Sequence, residues 1–468
     1  TNRTRASYQT PAAAVEVDLQ AGTATGAATG NDTLANFTQA RGSAHDDTLL
    51  GSDRTDFAEH FDGRAGNDTI DGRGGVDIVR YDAASAAVNV NLADGTATGG
   101  DGDDSLLNVE GVYGSGHDDT LVGSDNAGGI ESFRGGFGND AIDGAGGTDR
   151  VDYGSSNYGV NVNLGTGLAD DGLGGQDTLQ GIENVRGSNW NDLLAGDDAD
   201  NVLEGQGGND TLRGNGGNDT LLGGAGMDVL AGGAGDDVMN GGEIHDRLNY
   251  TDLNTVVYDG VAEDLVIDLS GITGDGSEGF GTATGAGNDV LRNVNFVRGG
   301  NGNDSITGSS AEIFEQFEGG AGNDTIDGGA ITGGMSAVNA NRVSYQGATA
   351  GVNVDLQAGT ASGDASVGSD TLVNINHVRG SAAHGDTLTG SDRTDVSELF
   401  EGLGGDDLID GRGGFDMARY DSAGSAVTVN LAAGTATGGA GNDTLLGIEG
   451  VVGSAHADTP TGSARNNV

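Results

Sequence analysis

From residue 187 to residue 249 the chain repeats every nine residues, seven times over, with nothing inserted. Block 205–213 reads Gly-Gln-Gly-Gly-Asn-Asp-Thr-Leu-Arg, and block 214–222 reads Gly-Asn-Gly-Gly-Asn-Asp-Thr-Leu-Leu. The sixth place holds Asp192, Asn201, Asp210, Asp219, Asp228, Asp237 and Asp246. The eighth holds Leu194, Leu203, Leu212, Leu221, Leu230, Met239 and Leu248. Each block reads as a glycine-rich turn and then a very short strand with one inward apolar residue. Glycine belongs where the chain visits positive φ or where backbones come close. Successive turns fall alternately on two sides, so about two nonapeptides make one coil. The expected fold is all-β, a right-handed parallel β-roll or β-solenoid with a thin stacked core.

The sixth-place carboxylate then points into the layer of turns and faces the turn of the next coil on the same side. A carboxylate among glycine-turn carbonyls is an all-oxygen site, which suits a hard cation such as Ca²⁺. The competing reading is an Asp that caps its own turn by accepting backbone amides. In tandem copies the cation reading is the stronger. Asp210, Asp219, Asp228 and Asp237 lead, because each has a partner turn two blocks away. Asp68, Asp77, Asp140, Asp149, Asp324, Asp407 and Asp416 fill the slot in other well-formed blocks. Asp192 and Asp246 fill it at the ends of the central run, and Asp47, Asp119, Asp304, Asp386 and Asp443 in looser blocks. Asn201 would be a weaker, uncharged ligand. Carbonyl ligands are expected from Gly205, Gly207, Gly214, Gly216, Gly223, Gly224, Gly232 and Gly233. A total on the order of ten to twenty ions follows, each with about 6 to 8 oxygens.

This nonapeptide, Gly-Gly-x-Gly-x-Asp with an apolar residue two places on, resembles the RTX (repeats-in-toxin) family, whose β-roll binds multiple Ca²⁺ ions between stacked turns. The resemblance covers essentially the whole chain. It implies an extracellular or cell-surface bacterial protein, exported by a type I system and folding in external calcium. In RTX lipases, proteases and epimerases the catalytic domain lies outside the repeats. None is visible here, so no enzymatic activity is expected. A chain of repeats implies a structural role: surface layer, adhesin stalk, matrix component or filament. The alternatives are a secretion and folding module of a secreted enzyme, or a carbohydrate-binding solenoid using Asn89, Asn91, Asn161 and Asn163. The expected partners are calcium ions, other copies joined end to end through open sheet edges, and cell-surface material.

A longer repeat overlies the short one. An alternating strand recurs as Val-Glu-Val-Asp-Leu at 15–19, Val-Asn-Val-Asn-Leu at 88–92 and 160–164, Leu-Val-Ile-Asp-Leu at 265–269, Val-Asn-Val-Asp-Leu at 352–356 and Val-Thr-Val-Asn-Leu at 427–431. Period-two alternation puts the apolar set on one face and the Asn/Asp set on the other. Gly-Thr-Ala-Thr-Gly often follows, and then a turn with Asp such as Asp443. A short apolar stretch ending in Gly-Ser precedes each looser block, and a segment ending in Glu-x-Phe (Glu59, Glu131, Glu315, Glu398) is expected to bulge from one side. The repeat units are approximately 15–87, 88–159, 160–264, 265–351, 352–426 and 427–468. No linker separates them, so one continuous solenoid over 1–468 is expected, with a loop where 328–340 breaks the pattern. Residues 462–468 match the opening of block 196–204, which predicts a longer polypeptide.

Composition sets the exclusions. The 468 residues include 92 Gly and only 2 Pro, and the net charge is −52. Every strong base is Arg. A phosphate backbone wants a basic surface, so nucleic acid is excluded as a partner. The charge also predicts self-repulsion without counter-ions, and hence a chain largely unfolded until it meets millimolar calcium. Cysteine is absent, which excludes disulfides and thiolate metal sites. No apolar run reaches about 18 residues, so no membrane span is read. There is no His-Glu-x-x-His and no Gly-x-Ser-x-Gly. His45, His117 and His456 recur at one slot, with His384 close to it, and read as surface turn residues. The Thr-Ala-Thr pieces occur too rarely for an ice-binding ladder. Trp190 reads either as an exposed contact residue or as a core plug.

Overall fold

The structure, a computed structural model, describes residues 4–10, 12–125, 129–244, 253–274, 276–331 and 340–463. Every regular element among them is a β-strand. Asp246, most of the expected loop at 328–340 and the end of the last block lie outside the described residues. The chain divides into two compact units, Thr1–Gly216 and Gly217–Val468.

In the first unit the strands alternate between two parallel-dominated sheets whose inward side chains stack coil upon coil. One column runs Ala40, Phe61, Val79, Val112, Phe133, Val151, Val185 and Leu203, each paired with the next. The facing sheet contributes Val17, Leu49 and Ile70, then Val90, Leu121 and Ile142. All of these are buried. A fully buried Val, Leu or Phe contributes about 1.5–3 kcal/mol, and each coil places only a few. The second unit repeats the arrangement, with Leu230, Val256, Val297, Phe317, Val343, Val378, Phe400 and Ala418 in one sheet. Ile267, Ile306 and Ile326, then Val354, Leu388 and Ile409, line the other. The expected β-solenoid is the observed fold in each unit.

The alternating strand does more than continue a coil. Val88–Asn91, Thr96–Gly99 and Gly102–Leu107 form an antiparallel three-stranded insert within the parallel sheet. The same insert recurs at Val15–Asp18, Asn161–Asn163, Val266–Asp268, Asn353–Asp355 and Val427–Asn430. Gly95 at φ 65 closes the turn, and Asn91 Oδ1 accepts the Asp94 N–H at 2.9 Å. The Thr-Ala-Thr segment is the middle strand. Its Ala faces inward and is fully buried, while its threonines face out. The Glu-x-Phe segment is not simply a bulge. Phe61, Phe133, Phe317 and Phe400 are among the largest fully buried side chains, and the preceding Glu residues are buried too.

Candidate metal centres

All of the expected sixth-place aspartates that lie within the described residues are buried. They form ladders along the turn edges. Each backbone N–H donates to the carboxylate of the next coil: Asp47 to Asp68 at 2.7 Å, Asp119 to Asp140, Asp192 to Asp210, Asp219 to Asp237, Asp304 to Asp324 and Asp386 to Asp407 at 2.8 Å. A ladder begins where the alternating strand enters: the N–H groups of Val15, Val88, Val160, Leu265 and Val352 donate to Asp47, Asp119, Asp192, Asp304 and Asp386.

The second residue of each block decides what the other carboxylate oxygen does. In the looser blocks it is Ser43, Ser115, Ser188, Gly300 or Ser381, none at positive φ. Its N–H turns inward onto the block's own Asp, as in Ser188 to Asp192 at 2.6 Å and Gly300 to Asp304 at 2.8 Å. Where it is serine, the hydroxyl donates as well, at 2.7 Å from Ser188 to Asp192. Asp47, Asp119, Asp192, Asp304 and Asp386 are therefore turn caps with both oxygens engaged, the arrangement weighed above as the alternative to cation ligation. Asn201 is capped likewise by the Asp197 N–H at 2.8 Å.

In the well-formed blocks the second residue sits at positive φ: Arg64 at 73, Gly136 at 113, Gly233 at 109, Gly320 at 100 and Leu403 at 72. This rotates its N–H away, and Oδ2 of Asp68, Asp140, Asp237, Asp324 and Asp407 is left buried with no hydrogen-bond partner. On the opposite edge Arg73, Ala145 and Arg412 are also at positive φ. There Asp149 keeps an open Oδ2, and Asp77 and Asp416 have neither oxygen bonded. The blocks of Asp210, Asp219 and Asp228 share this turn, with Gln206 at φ 81, Asn215 at 79 and Gly224 at 113.

The first glycine of each block is needed for space rather than for φ. A Cβ on Gly63 would lie 2.1 Å from Asp68 Oδ2, and one on Gly223 or Gly232 would lie 2.3 or 2.1 Å from Asp228 or Asp237 Oδ2. First-place carbonyls face the adjoining turn: the Gly205 oxygen lies 3.0 Å from the Cβ position of Gly187, and the Gly214 oxygen 2.7 Å from that of Gly196. The Gly224 carbonyl faces Gly242 in the same way. Gly207, Gly216 and Gly233 are more open to solvent than the first-place glycines. Among the described residues no three carboxylate or imidazole side chains converge on a point. A cation between these turns would be held by carboxylate oxygens together with main-chain carbonyls, which is the donor set of calcium.

Burial, and after it neighbouring carboxylates, raises these groups. Asp68, Asp324 and Asp407 are pushed up to about 7 and Asp140 to about 8. Asp77 reaches about 8 beside Glu110 and Glu59, Asp149 about 7 beside Glu131 and Glu183, and Asp416 about 8 beside Glu398 and Glu449. A buried carboxylate lacking a counter-charge costs several kcal/mol. Near neutral pH each must share its site with a proton or a cation. The residues thus fit a divalent ion. A profile of the RTX calcium-binding nonapeptide repeat matches residues 53–84, 125–158, 177–212, 186–221, 213–248, 293–311, 315–330 and 433–450. These are RTX calcium-binding nonapeptide repeats. The open carboxylates Asp68, Asp77, Asp140, Asp149, Asp237 and Asp324 lie within the RTX matches, as do Asp210, Asp219 and Asp228, while Asp407 and Asp416 lie beyond them. Among curated proteins no relative matches the chain.

Several site residues escaped the reading of the sequence. The ladders through Asp68, Asp140, Asp237, Asp324 and Asp407 end on an Asp of the insert's returning strand, faced by a tyrosine. Tyr81, Tyr153, Tyr258 and Tyr345 donate to Asp104, Asp177, Asp289 and Asp370 at 2.8–2.9 Å. Asp443 holds the same place and accepts the Asp407 N–H at 3.1 Å, with Tyr420 facing it outside hydrogen-bonding geometry. The signal was present in the tyrosine that stands seven residues before each of these alternating strands and in the Asp turn that follows the Thr-Ala-Thr strand. The Glu of the Glu-x-Phe segment was seen in the sequence, but its burial was not: Glu59, Glu131 and Glu398 accept the N–H of Ser52, Ser124 and Ser391 at 2.7 Å.

Proposed function

We propose that this chain is a calcium-stabilised structural segment of an extracellular bacterial protein, belonging to a surface layer, stalk, matrix or filament. The observation that carries this is the set of buried carboxylate oxygens left open by the positive-φ turn. They are too costly to keep as bare charges, and the coils contribute too few apolar side chains to outweigh that cost. Asp68, Asp140, Asp237, Asp324 and Asp407, with Asp77, Asp149 and Asp416 on the opposite edges, would hold the ions together with first-place glycine carbonyls. Bound calcium supplies the positive charge between stacked turns. The chain's own residues do the rest. The N–H ladder fixes each carboxylate, the small first-place glycine makes room for it, and the tyrosines close the ladder ends. Export as an unfolded chain through a type I system, and folding in millimolar calcium outside, accord with this dependence.

Circular dichroism near neutral pH tests the reading. A weak β signal in chelator that rises cooperatively with added calcium is expected, and an unchanged β signal in chelator would remove its basis. Light scattering in calcium tests self-association. A size that grows with protein concentration is expected, and a monodisperse monomer at all concentrations would rule out end-to-end assembly.

A further inference from the structure

The repeats place two residues side by side wherever the insert meets the looser block. The alternating strand pairs in parallel with the strand of that block, so that the residue two before Val160 lies next to the residue two before Asp192. That pair is Tyr158 and Trp190. A Cβ on the intervening Gly159 would lie 2.0 Å from the Asn191 carbonyl, which shows how closely the two coils stack here. In the other copies the same slot holds Ala13 with His45, Ala86 with His117, Glu263 with Gly302, Ala350 with His384 and Ser425 with His456. Both members have become large aromatics in one copy only, and one of them is the sole Trp of the chain.

Neither ring fills the core. Tyr158 is 72% exposed and Trp190 54%. Glycines flank them: Gly208 stacks on the Trp190 backbone and Gly172 on the Tyr158 carbonyl, so no side chain covers either ring from those turns. The neighbouring exposed side chains are mostly amides, Asn157, Asn189 and Asn191, with Asp170 at the edge, where it accepts the Gly172 N–H at 3.3 Å. Asn191 stands where two other copies carry Asp46 and Asp118. In a chain of net charge −52, an aromatic pair fringed mainly by neutral amides is a local exception.

We propose that Tyr158 and Trp190 form a binding site for a neutral pyranose saccharide. Two rings on adjacent coils, roughly 4.8 Å apart along the stack, offer a platform to the apolar C–H face of a sugar ring. Asn side chains offer both donor and acceptor to its hydroxyls. The mostly neutral surround suits an uncharged ligand, and Asp170 at its edge is a further acceptor for a sugar hydroxyl. Size argues against a protein partner, because two aromatic rings bury about 150–250 Å² each, well below the roughly 800 Å² per side of a stable interface.

Because Trp190 is the sole Trp, its fluorescence reports on this site alone. The calcium-loaded chain is titrated with cellohexaose, laminarihexaose, maltohexaose and chitohexaose. At least one is expected to give a saturable shift in emission. Tyr158→Ala is expected to weaken that binding by at least about tenfold, and Phe137→Ala, at another exposed aromatic, to leave it unchanged. All three aromatics are exposed, so the β signal of the variants should match the parent. Emission unmoved by every sugar overturns the proposal, as does undiminished binding by Tyr158→Ala. An emission shift that follows protein concentration and ignores sugar would assign the surface to a second copy instead.

Discussion

Within the second unit, one edge of the coil stack is built in two chemistries. Around Asp416 the column is acidic: Asp416 lies between Glu398 and Glu449, and its Oδ2 has no partner. Earlier in the same sheet the column is made of amides. Asn254, Asn295, Asn341 and Asn376 occupy the equivalent places, all buried. The Asn254 N–H donates to Asn295 at 2.8 Å and the Asn341 N–H to Asn376 at 2.9 Å. The Asn341 amide also donates to the Asn374 carbonyl at 3.0 Å. That carbonyl corresponds to the Gly447 carbonyl, which faces the Asp416 turn, and to the Asn108 carbonyl, which faces the Asp77 turn. The NH₂ group of Asn341 thus carries positive charge density toward an oxygen where the acidic copies would need a cation. Glu315, the acid within this stretch, is capped by the Ser309 N–H. The same backbone can be closed by an amide without metal or by a carboxylate with it.

Chelation should separate the two most strongly. Each ion at a hundred times its dissociation constant adds about 2.7 kcal/mol. On adding chelator, amide hydrogen exchange around Phe415–Arg419 should accelerate by about a hundredfold or more. The strands carrying the Asn column should lag behind. Equal acceleration in both stretches would show that the amides confer no independence.

Acid should mimic calcium. In the metal-free chain Asp77, Asp140 and Asp416 have folded values near 8 and Asp68, Asp324 and Asp407 near 7, against 3.8 for the unfolded carboxyl. Between these limits the folded state binds more protons, so stability falls as pH rises. Stability from these groups is fully present below about 4 and lost through about 7 to 8. In chelator the β signal should therefore be larger at pH 5 than at pH 8. With calcium the order reverses, because protons compete for the same oxygens. A chelated chain that loses β signal on acidification would contradict the burial of these charges.

Asn341→Asp should convert an amide closure into a calcium-dependent one. It should cost about 3–5 kcal/mol in chelator, as for an uncompensated buried charge, and be rescued by calcium. The reverse change, Asp416→Asn, should raise metal-free stability by about 1–3 kcal/mol, the cost of an unsatisfied buried polar group, and remove one ion from the binding stoichiometry. Urea midpoints with and without calcium read both. Ser188→Ala should have the smallest effect. It removes the hydroxyl's bond to Asp192 and the bond the hydroxyl accepts from the Trp190 N–H, but leaves the Ser188 N–H bond, a loss of about 1–2 kcal/mol that should be the same with and without calcium. A loss confined to calcium-loaded protein would make Asp192 a metal ligand rather than a cap.

The coil and its core were legible because the code is local. A nine-residue period with one inward residue leaves the chain few ways to bury Leu212 or Leu221. The ladder slot was legible for the same reason. The sorting of that slot was less so: Gly-Ser marks the cap, but Gly-Gly stands both in the capped block at Gly299 and in the open one at Gly319, and only the backbone angle separates them. Serine at the second place brings both an N–H and a hydroxyl to the carboxylate. The insert was read as a strand and a turn because a three-residue Thr-Ala-Thr segment looks like a loop until its antiparallel neighbours are known.

By itself the sequence determined the β-solenoid, its short period and its need for positive charge in the turns, since all three follow from which residue types recur at which spacing. The tertiary structure decided which carboxylates stay open, how the ladders end on tyrosines, and that Tyr158 and Trp190 are neighbours facing solvent. Those outcomes depend on which turn stacks on which. Partners in that stack lie from 18 to 52 residues apart along the chain, a separation that the insert lengths set and that no single nonapeptide contains.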